Sequence, residues 1–223
     1  GCPVPKIARN NAGCSLMREP ARAAAIVAAM VAAVKIPVTV KMRAGWNERE
    51  VNAPEIARRV EDAGAAAVAV HGRTAAQAYT GRADWDLIGR VAEAVRIPVF
   101  GCGDLVEPRD ILARIGKADV AGVLIGRGIL RNPWLFAQAA DLLAGRPARE
   151  ISAQGRGCFL LDYIDLLVAE NPDSGRWIVN KLRARCGWYT KGCEGGANLR
   201  VAVNHAPAVA GLRVLSAEFF GRE

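Results

Sequence analysis

Four apolar segments with the character of buried strands alternate with helical segments over the first 146 residues. This alternation constrains the fold more than any other feature of the sequence. The strands are predicted to begin near residues 38, 66, 97 and 120, and the first and third share the sequence Ile-Pro-Val at their starts. Strands joined by helical crossovers run parallel with right-handed connections. The helices between them are predicted at 20–34, 51–62, 84–95, 107–115 and 133–143.

A charged or glycine-rich turn follows each predicted strand. Lys41 and Arg43 end the first strand, His71 ends the second, and glycine pairs follow the other two. Enzymes built on parallel strands carry their active groups at these carboxyl ends, which favours a (β/α)8 TIM barrel over a doubly wound sheet. A closed barrel takes roughly 250 residues, so we expect only about half of one, at 1–146.

The composition changes near residues 144–152, and the remaining sequence predicts a small all-helical domain at 150–223. Its helices are expected at 153–170, 175–190, 197–204 and 207–221. Residues 176–213 carry seven Lys or Arg against Glu194 alone, so most of the chain's net charge of +8 lies here. Such a basic region suits nucleic acid, although a solvated basic face is the alternative.

Several classes of protein are disfavoured by the rest of the sequence. No apolar stretch approaches 18 residues, so no membrane span is expected. Six scattered cysteines without a CxxC pair, with two histidines, predict no metal site and fit a reducing cytoplasm. Residues 1–18 are predicted as a loop, and helix 20–34 is expected to face the core through Ile26, Met30 and Val34. The chain starts at Gly1 inside a motif, so we expect its natural start to be missing.

The two glycine pairs point to an anion. Gly101 and Gly103 follow the third strand, and Gly126 and Gly128 flank Arg127 after the fourth. In barrels the last two strands commonly hold a phosphate through backbone N–H groups, and an arginine adds a bidentate partner. Each glycine alone is explained by a tight turn, but two consecutive strand ends favour phosphate binding.

Lys41 and His71 are expected in the same mouth of the barrel. A cation there would stabilise negative charge on a reduced flavin; for His71, a neutral, hydrogen-bonded structural role is equally consistent. Cys2 lies in a predicted loop near cations, where a thiol can serve as acid or nucleophile. The residues alone do not distinguish Cys2 from the other five cysteines.

Short motifs occur along the chain in an order that resembles the bacterial tRNA-dihydrouridine synthases, over nearly the whole length. They are Gly1-Cys2-Pro3-x-Pro5-Lys6, Ala12-Gly13-x-Ser15-Leu16-Met17, Lys41-Met42-Arg43-x-Gly45-Trp46, His71-Gly72-Arg73-Thr74, Gly103-Asp104, Gly126-Arg127 and Asn132-Pro133-Trp134. The tail, with Asn180-Lys181-Leu182-Arg183, Trp188-Tyr189-x-Lys191-Gly192 and Leu199-Arg200, resembles that family's helical tRNA-binding domain.

The resemblance implies an FMN-binding barrel that reduces the uridine 5,6 double bond of tRNA with NADPH in the cytoplasm. Reduced FMN would give hydride to C6, and Cys2 would give the proton to C5. The implied flavin-binding residues are Lys41, His71, Cys102, Gly103, Asp104, Gly126 and Arg127. The implied RNA-binding residues are Lys181, Arg183, Arg185, Lys191 and Arg200.

Two departures from the family pattern leave alternatives open. Position 102 is cysteine where the family usually has asparagine, which removes a side-chain contact if one is needed. Family members also begin with about four further strands, so one alternative is that this chain alone is inactive. The alternatives are therefore an RNA-binding remnant without catalysis, or another FMN-dependent barrel reductase that acts on a small molecule.

Overall fold

A computed structural model describes residues 1–116, 119–172 and 175–221. They form an α/β protein with one parallel sheet and many helices. The chain divides into two compact units: Gly1–Ile129 with Gln138–Arg146, and Leu130–Ala137 with Pro147–Glu223. These units group Leu130–Ala137 apart from the rest of the segment 1–146, and the division into the two predicted domains stays a prediction.

The first unit contains a four-stranded sheet in the order β1-β2-β3-β4, with every neighbouring pair parallel. The strands are β1 Thr39–Arg43, β2 Ala67–His71, β3 Val99–Cys102 and β4 Gly122–Leu124. The helices of the chain up to residue 143 are α1 Pro5–Ala8, a 3₁₀ helix at Gly13–Arg18, α2 Pro20–Ala33, α3 Ala53–Asp62, α4 Trp85–Ala94, α5 Pro108–Ile115, α6 Arg127–Arg131 and α7 Leu135–Leu143.

One face of the sheet carries the core. Met42, Val68, Val70 and Val99 are buried there and cluster with helix residues such as Ile88. Because side chains alternate along a strand, the residues between them lie on the opposite face. That opposite face holds Lys41, Arg43, His71 and Cys102, and we call it the polar face.

Two expectations about the first 34 residues are wrong. Residues 1–18 are not simply a loop, because they form α1 and a 3₁₀ helix with Cys14, Ser15 and Met17 buried. Helix α2 turns Val27 to the core, and Ile26 and Met30 are exposed. The helix is so rich in alanine that its apolar residues surround it, and periodicity could not select the buried side.

The second unit is helical throughout the part that the structure describes. Its main helices are α8 Ala153–Glu170, α9 Gly175–Tyr189, α10 Gly196–His205 and α11 Val209–Phe220, close to the predicted ranges. Leu160, Ile164, Leu182 and Leu212 are fully buried and form its core. Among the described residues of the whole chain, no helix is long and apolar enough to cross a membrane.

Candidate active site

The strand register brings the predicted site residues of β1, β2 and β3 side by side. Arg43 pairs with His71, and His71 pairs with Cys102, in one row across the strand ends. Lys41 stands two residues before Arg43 and therefore shares the same face. Lys41 is exposed and Cys102 is partly exposed, so both are open to a ligand on the polar face.

Arg43 is buried and organises the loop after β2. One guanidinium nitrogen, Nη1, donates to the carbonyl oxygens of Thr74 and Ala78, at 2.9 Å each. These bonds fix the loop that presents Tyr79, a residue that is 54% exposed and whose ring centroid lies 5.6 Å from the Arg43 Cζ. Sequence reasoning assigned a binding role to neither Arg43 nor Tyr79, although both lie in or beside the recognised motifs.

Tyr79 also connects the polar face to the turn after β4. The Cζ of Arg127 lies 4.2 Å from the centroid of its ring, and the ring of His71 lies 6.3 Å away. A guanidinium at this distance over an aromatic face is held by a cation–π interaction. The structure therefore brings both Arg127 and His71 to one exposed aromatic ring.

Arg73 is the most highly bonded side chain of the site and is only 3% exposed. Its Nε donates to the Thr80 carbonyl at 2.9 Å, and its Nη2 donates to the Gly81 carbonyl. Nη2 also donates to both carboxylate oxygens of Asp104, at 2.8 and 2.9 Å. The motif that carries the family resemblance includes Arg73, but nothing in its sequence position indicated burial.

Asp104, predicted to bind cofactor, uses its carboxylate within the protein. Besides Arg73, it accepts a hydrogen bond from the Ala83 N–H at 2.7 Å. Burial would raise the pKa of the Asp104 carboxyl, but the Ala83 bond and the Arg73 guanidinium hold this pKa below its ordinary value. The side chain thus clamps the loop after β2 to the turn after β3.

His71 is 8% exposed, and its environment favours the neutral ring. Burial, followed by the charges of Arg43, Lys41 and Arg73, lowers the pKa of His71 to about 4, and Asp104 opposes this only weakly. The sequence left open how His71 contributes to the mouth of the barrel. The structure gives a neutral imidazole among three cations.

The glycines after β3 and β4 divide into two kinds. A side chain at Gly101 would collide with Trp85, and one at Gly128 would collide with the Leu105 carbonyl. Close packing therefore explains glycine at both positions. Gly103 belongs with them, because its φ of +131° favours glycine and a Cβ there would collide with the Ala83 side chain, whereas a Cβ added to Gly126 would meet no atom within 4 Å. Gly126 and Arg127 are both exposed. The open part of the predicted phosphate site is therefore Gly126-Arg127.

Cys2 is exposed beside β1. Its carbonyl accepts a hydrogen bond from the Cys14 N–H at 2.9 Å, which ties the segment to the 3₁₀ helix. The preceding Gly1 packs against the main chain of Lys41 and Met42. The structure therefore places Cys2 next to the strand that carries Lys41.

The five predicted RNA-binding residues have different environments in the second unit. Lys181 and Lys191 are exposed. Arg183 and Arg200 are half-buried and donate to the carbonyls of Ala206 and Thr190, at 3.1 and 3.4 Å. Counting basic residues along the sequence could not separate these two groups, because the count contains no information on which side of a helix faces inward.

Arg185 departs most from the expected surface position, since it is only 9% exposed. Its Cζ lies 4.5 Å from the Trp188 ring and 5.9 Å from the Tyr163 ring. Trp177, which sequence reasoning missed, is exposed with the Lys181 Nζ 5.2 Å from its ring. An exposed tryptophan beside a lysine is a surface that suits stacking and phosphate contacts.

Comparisons with known proteins agree on one family. A dihydrouridine synthase family model matches residues 1–218. The chain is 40% identical over 207 residues to a probable tRNA-dihydrouridine synthase of Rickettsia bellii, covering 92% of this chain and 62% of that protein. It is 37% identical over 227 residues to one of Rhodobacter capsulatus, covering 100% and 68%. It is 38% identical over 207 residues to tRNA-dihydrouridine synthase B of Pseudomonas putida, covering 92% and 60%.

The chain thus spans about two thirds of the length of these relatives. The match runs through both compact units and includes every residue of the polar face. The chain belongs to the dihydrouridine synthase family.

Proposed function

We propose that the chain is part of a cytoplasmic tRNA-dihydrouridine synthase that reduces the uridine 5,6 double bond with FMN and NADPH. The observation that carries this proposal is the convergence of Arg43, neutral His71 and Arg127 around the exposed Tyr79 ring at the strand ends. Lys41 lies on the same face of the sheet. An aromatic surface between cations suits a planar heterocycle that carries a phosphate and gains negative charge. The names of the relatives support the reaction and its tRNA substrate.

The residues present fit FMN in chemical terms. Arg127 and the open backbone at Gly126 would hold the phosphate, and the backbone of Cys102, Gly103 and Asp104 would border it. Lys41 would lie near the ring, where its charge stabilises the reduced form. When bound, FMN supplies the hydride chemistry, with NADPH as the reductant. The absent asparagine at position 102 is tolerated in this scheme because backbone groups make that contact.

The chain's own acid in this proposal is Cys2. Its thiol is exposed, and its backbone is tied to Cys14 beside β1, so the thiol is available to a base that enters from solvent. Cys2 would give its proton to C5 of the uracil ring. This role requires the uridine to leave its stack in the folded tRNA.

In this proposal the two parts of the chain have different roles. Residues 1–146 would supply the C-terminal half of an FMN-binding (β/α)8 barrel, and residues 150–223 would form a helical tRNA-binding domain. Lys181 and Lys191 would contact phosphates directly, because they are exposed. Arg183, Arg185 and Arg200 would instead stabilise that surface through contacts inside the domain.

Flavin binding tests the proposal. We expect the purified chain to acquire the visible absorption of bound FMN, and Arg127→Met to weaken FMN binding by roughly 10- to 100-fold, since a charge-assisted bond contributes about 1.5–3 kcal/mol. Arg59→Met, which removes an exposed ion pair with Glu55 on α3, is the matched control and should bind as the wild type does. A chain that binds no FMN, or an Arg127→Met variant with unchanged affinity, would contradict the proposed cofactor site.

A further inference from the structure

The imidazole of His71 has two edges with different surroundings. Nη1 of Arg73 lies 3.4 Å from Nε2. On the same edge, a Cβ placed on Gly103 would lie 3.1 Å from Cδ2 and 3.4 Å from Nε2 of the ring. Among the residues that the structure describes, Nδ1 has no hydrogen-bond partner. The Nε2 edge is therefore closed by protein, and Nδ1 is the nitrogen left for a ligand.

A guanidinium carries only donors, so it can bond Nε2 only when that nitrogen presents its lone pair. A neutral imidazole has one donor and one acceptor nitrogen, and the partner of one nitrogen sets the role of the other. We propose that Arg73 is a positioning residue that holds His71 as the Nδ1–H tautomer, and so makes Nδ1 a hydrogen-bond donor to the polar face.

Arg73 is itself fixed in a way that suits this role. The Thr80 and Gly81 carbonyls and the Asp104 carboxylate hold Nε and Nη2, which leaves Nη1 to face the histidine. The charged groups around His71 are Lys41 and Arg43 from β1, Arg73 from the loop after β2 and Asp104 from the turn after β3. Three cations against one carboxylate disfavour imidazolium, the form in which both nitrogens would be donors.

A neutral donor at Nδ1 selects an acceptor atom without adding a fourth cation. A heterocycle's carbonyl oxygen or unprotonated ring nitrogen meets this requirement, and a protonated ring nitrogen does not. That the acceptor belongs to the flavin or to the uracil rests on the proposed function. The tautomer does not, because it follows from contacts within the chain.

Nuclear magnetic resonance of the ligand-free chain with ¹⁵N-labelled histidine tests the inference. The sequence has only two histidines, and the second, His205, is exposed on α10 and serves as an internal reference. At pH 7 we expect the His71 nitrogen shifts of a neutral ring protonated at Nδ1. Arg73→Met should remove this preference, with a gain in the Nε2–H form.

Two further variants make the result decisive. Arg73→Lys keeps the charge but not the fork of donors, so we expect it to restore the Nδ1–H form only in part. Arg59→Met should leave both histidine spectra unchanged. Finding Nε2–H or imidazolium at His71 in the wild type would overturn the inference, even if Arg73→Met fails to fold. An unchanged tautomer in folded Arg73→Met would overturn it as well. Because the experiment contains neither FMN nor tRNA, its result does not depend on the proposed activity.

Discussion

The two units of this chain both bury arginines, but they use them differently. In the first unit, Arg43 and Arg73 bond loop carbonyls and a carboxylate next to a histidine on the polar face. In the second unit, Arg185 lies against two aromatic rings. In both units the lysines of the predicted sites, Lys41, Lys181 and Lys191, stay exposed.

This contrast follows from the chemistry of the two side chains. A guanidinium is weakly hydrated, planar and rich in donors, so it is buried with carbonyls or aromatic rings at lower cost than an ammonium group. A basic residue in the sequence is therefore not equivalent to a positive charge on the surface. The candidate sites of this chain consist of exposed lysines and Arg127. Buried arginines hold the surrounding loops and helices in place.

The largest effect should appear in the pH dependence of the first unit's stability. The pKa of His71 lies near 4 in the folded chain, below the value of 6.5 for an unperturbed histidine. The unfolded chain therefore binds more protons between these values, and stability falls as the pH is lowered from 6.5 to 4. The loss attributable to His71 has an upper bound of about 3 kcal/mol.

Urea denaturation at a series of pH values measures this loss. His71→Gln should flatten the slope between pH 6.5 and 4, whereas His205→Gln, at an exposed site of the second unit, should leave it unchanged. Asp104 contributes in a lower range, because its lowered pKa gives stability that is lost only as the pH falls below the ordinary aspartate value. A slope that persists in His71→Gln would show that the loss of stability does not come from a His71 pKa lowered by burial and the neighbouring cations.

A smaller effect should separate buried from exposed cations in the second unit. Arg185→Ala should lower the free energy of unfolding by about 1–2 kcal/mol, because it removes a buried cation–π contact and its packing. Lys181→Ala should hardly change stability but should weaken tRNA binding, and the salt dependence of binding should decrease by about one phosphate contact.

Filter binding of tRNA at several salt concentrations, beside urea denaturation of the same variants, measures both quantities. The comparison would fail if Lys181→Ala bound tRNA with the wild-type salt dependence, or if Arg185→Ala reduced that dependence without loss of stability. The first result would show that Lys181 makes no phosphate contact, and the second would assign an RNA contact to the buried Arg185.

The regular part of the fold was predictable because its signals are local. Apolar runs such as Ala66–Val70, each ended by polar or glycine residues, located the four strands, and the parallel sheet with its many helices is confirmed. Alternation along those strands also accounts for Lys41 and His71 sharing one face. The inward side of α2 was not predictable, because Val27 and Ile26 are chemically almost identical and only packing distinguishes them.

The candidate site was predictable only in its exposed members and in His71. Lys41, His71 and Arg127 lie at or just after the strand ends, so their position in the sequence indicates their location. Arg73 and Tyr79 depend on the path of the loop after β2, which is set by bonds to carbonyls far from any sequence signal. The burial of Arg185 depends on its aromatic neighbours, and Trp188 and Tyr163 come from different helices.

The central proposal is that this chain reduces uridine in tRNA with Cys2 as the acid. Mass spectrometry of unmodified tRNA incubated with the chain, FMN and NADPH tests it most directly, with Cys158→Ala as the control because Cys158 is exposed on α8, far along the sequence. We expect dihydrouridine with the wild type and Cys158→Ala, and its loss in Cys2→Ala with tRNA binding retained. Equal product from Cys2→Ala would contradict the assignment of the acid. No product from a wild-type chain that binds both FMN and tRNA would contradict the proposed activity of the chain.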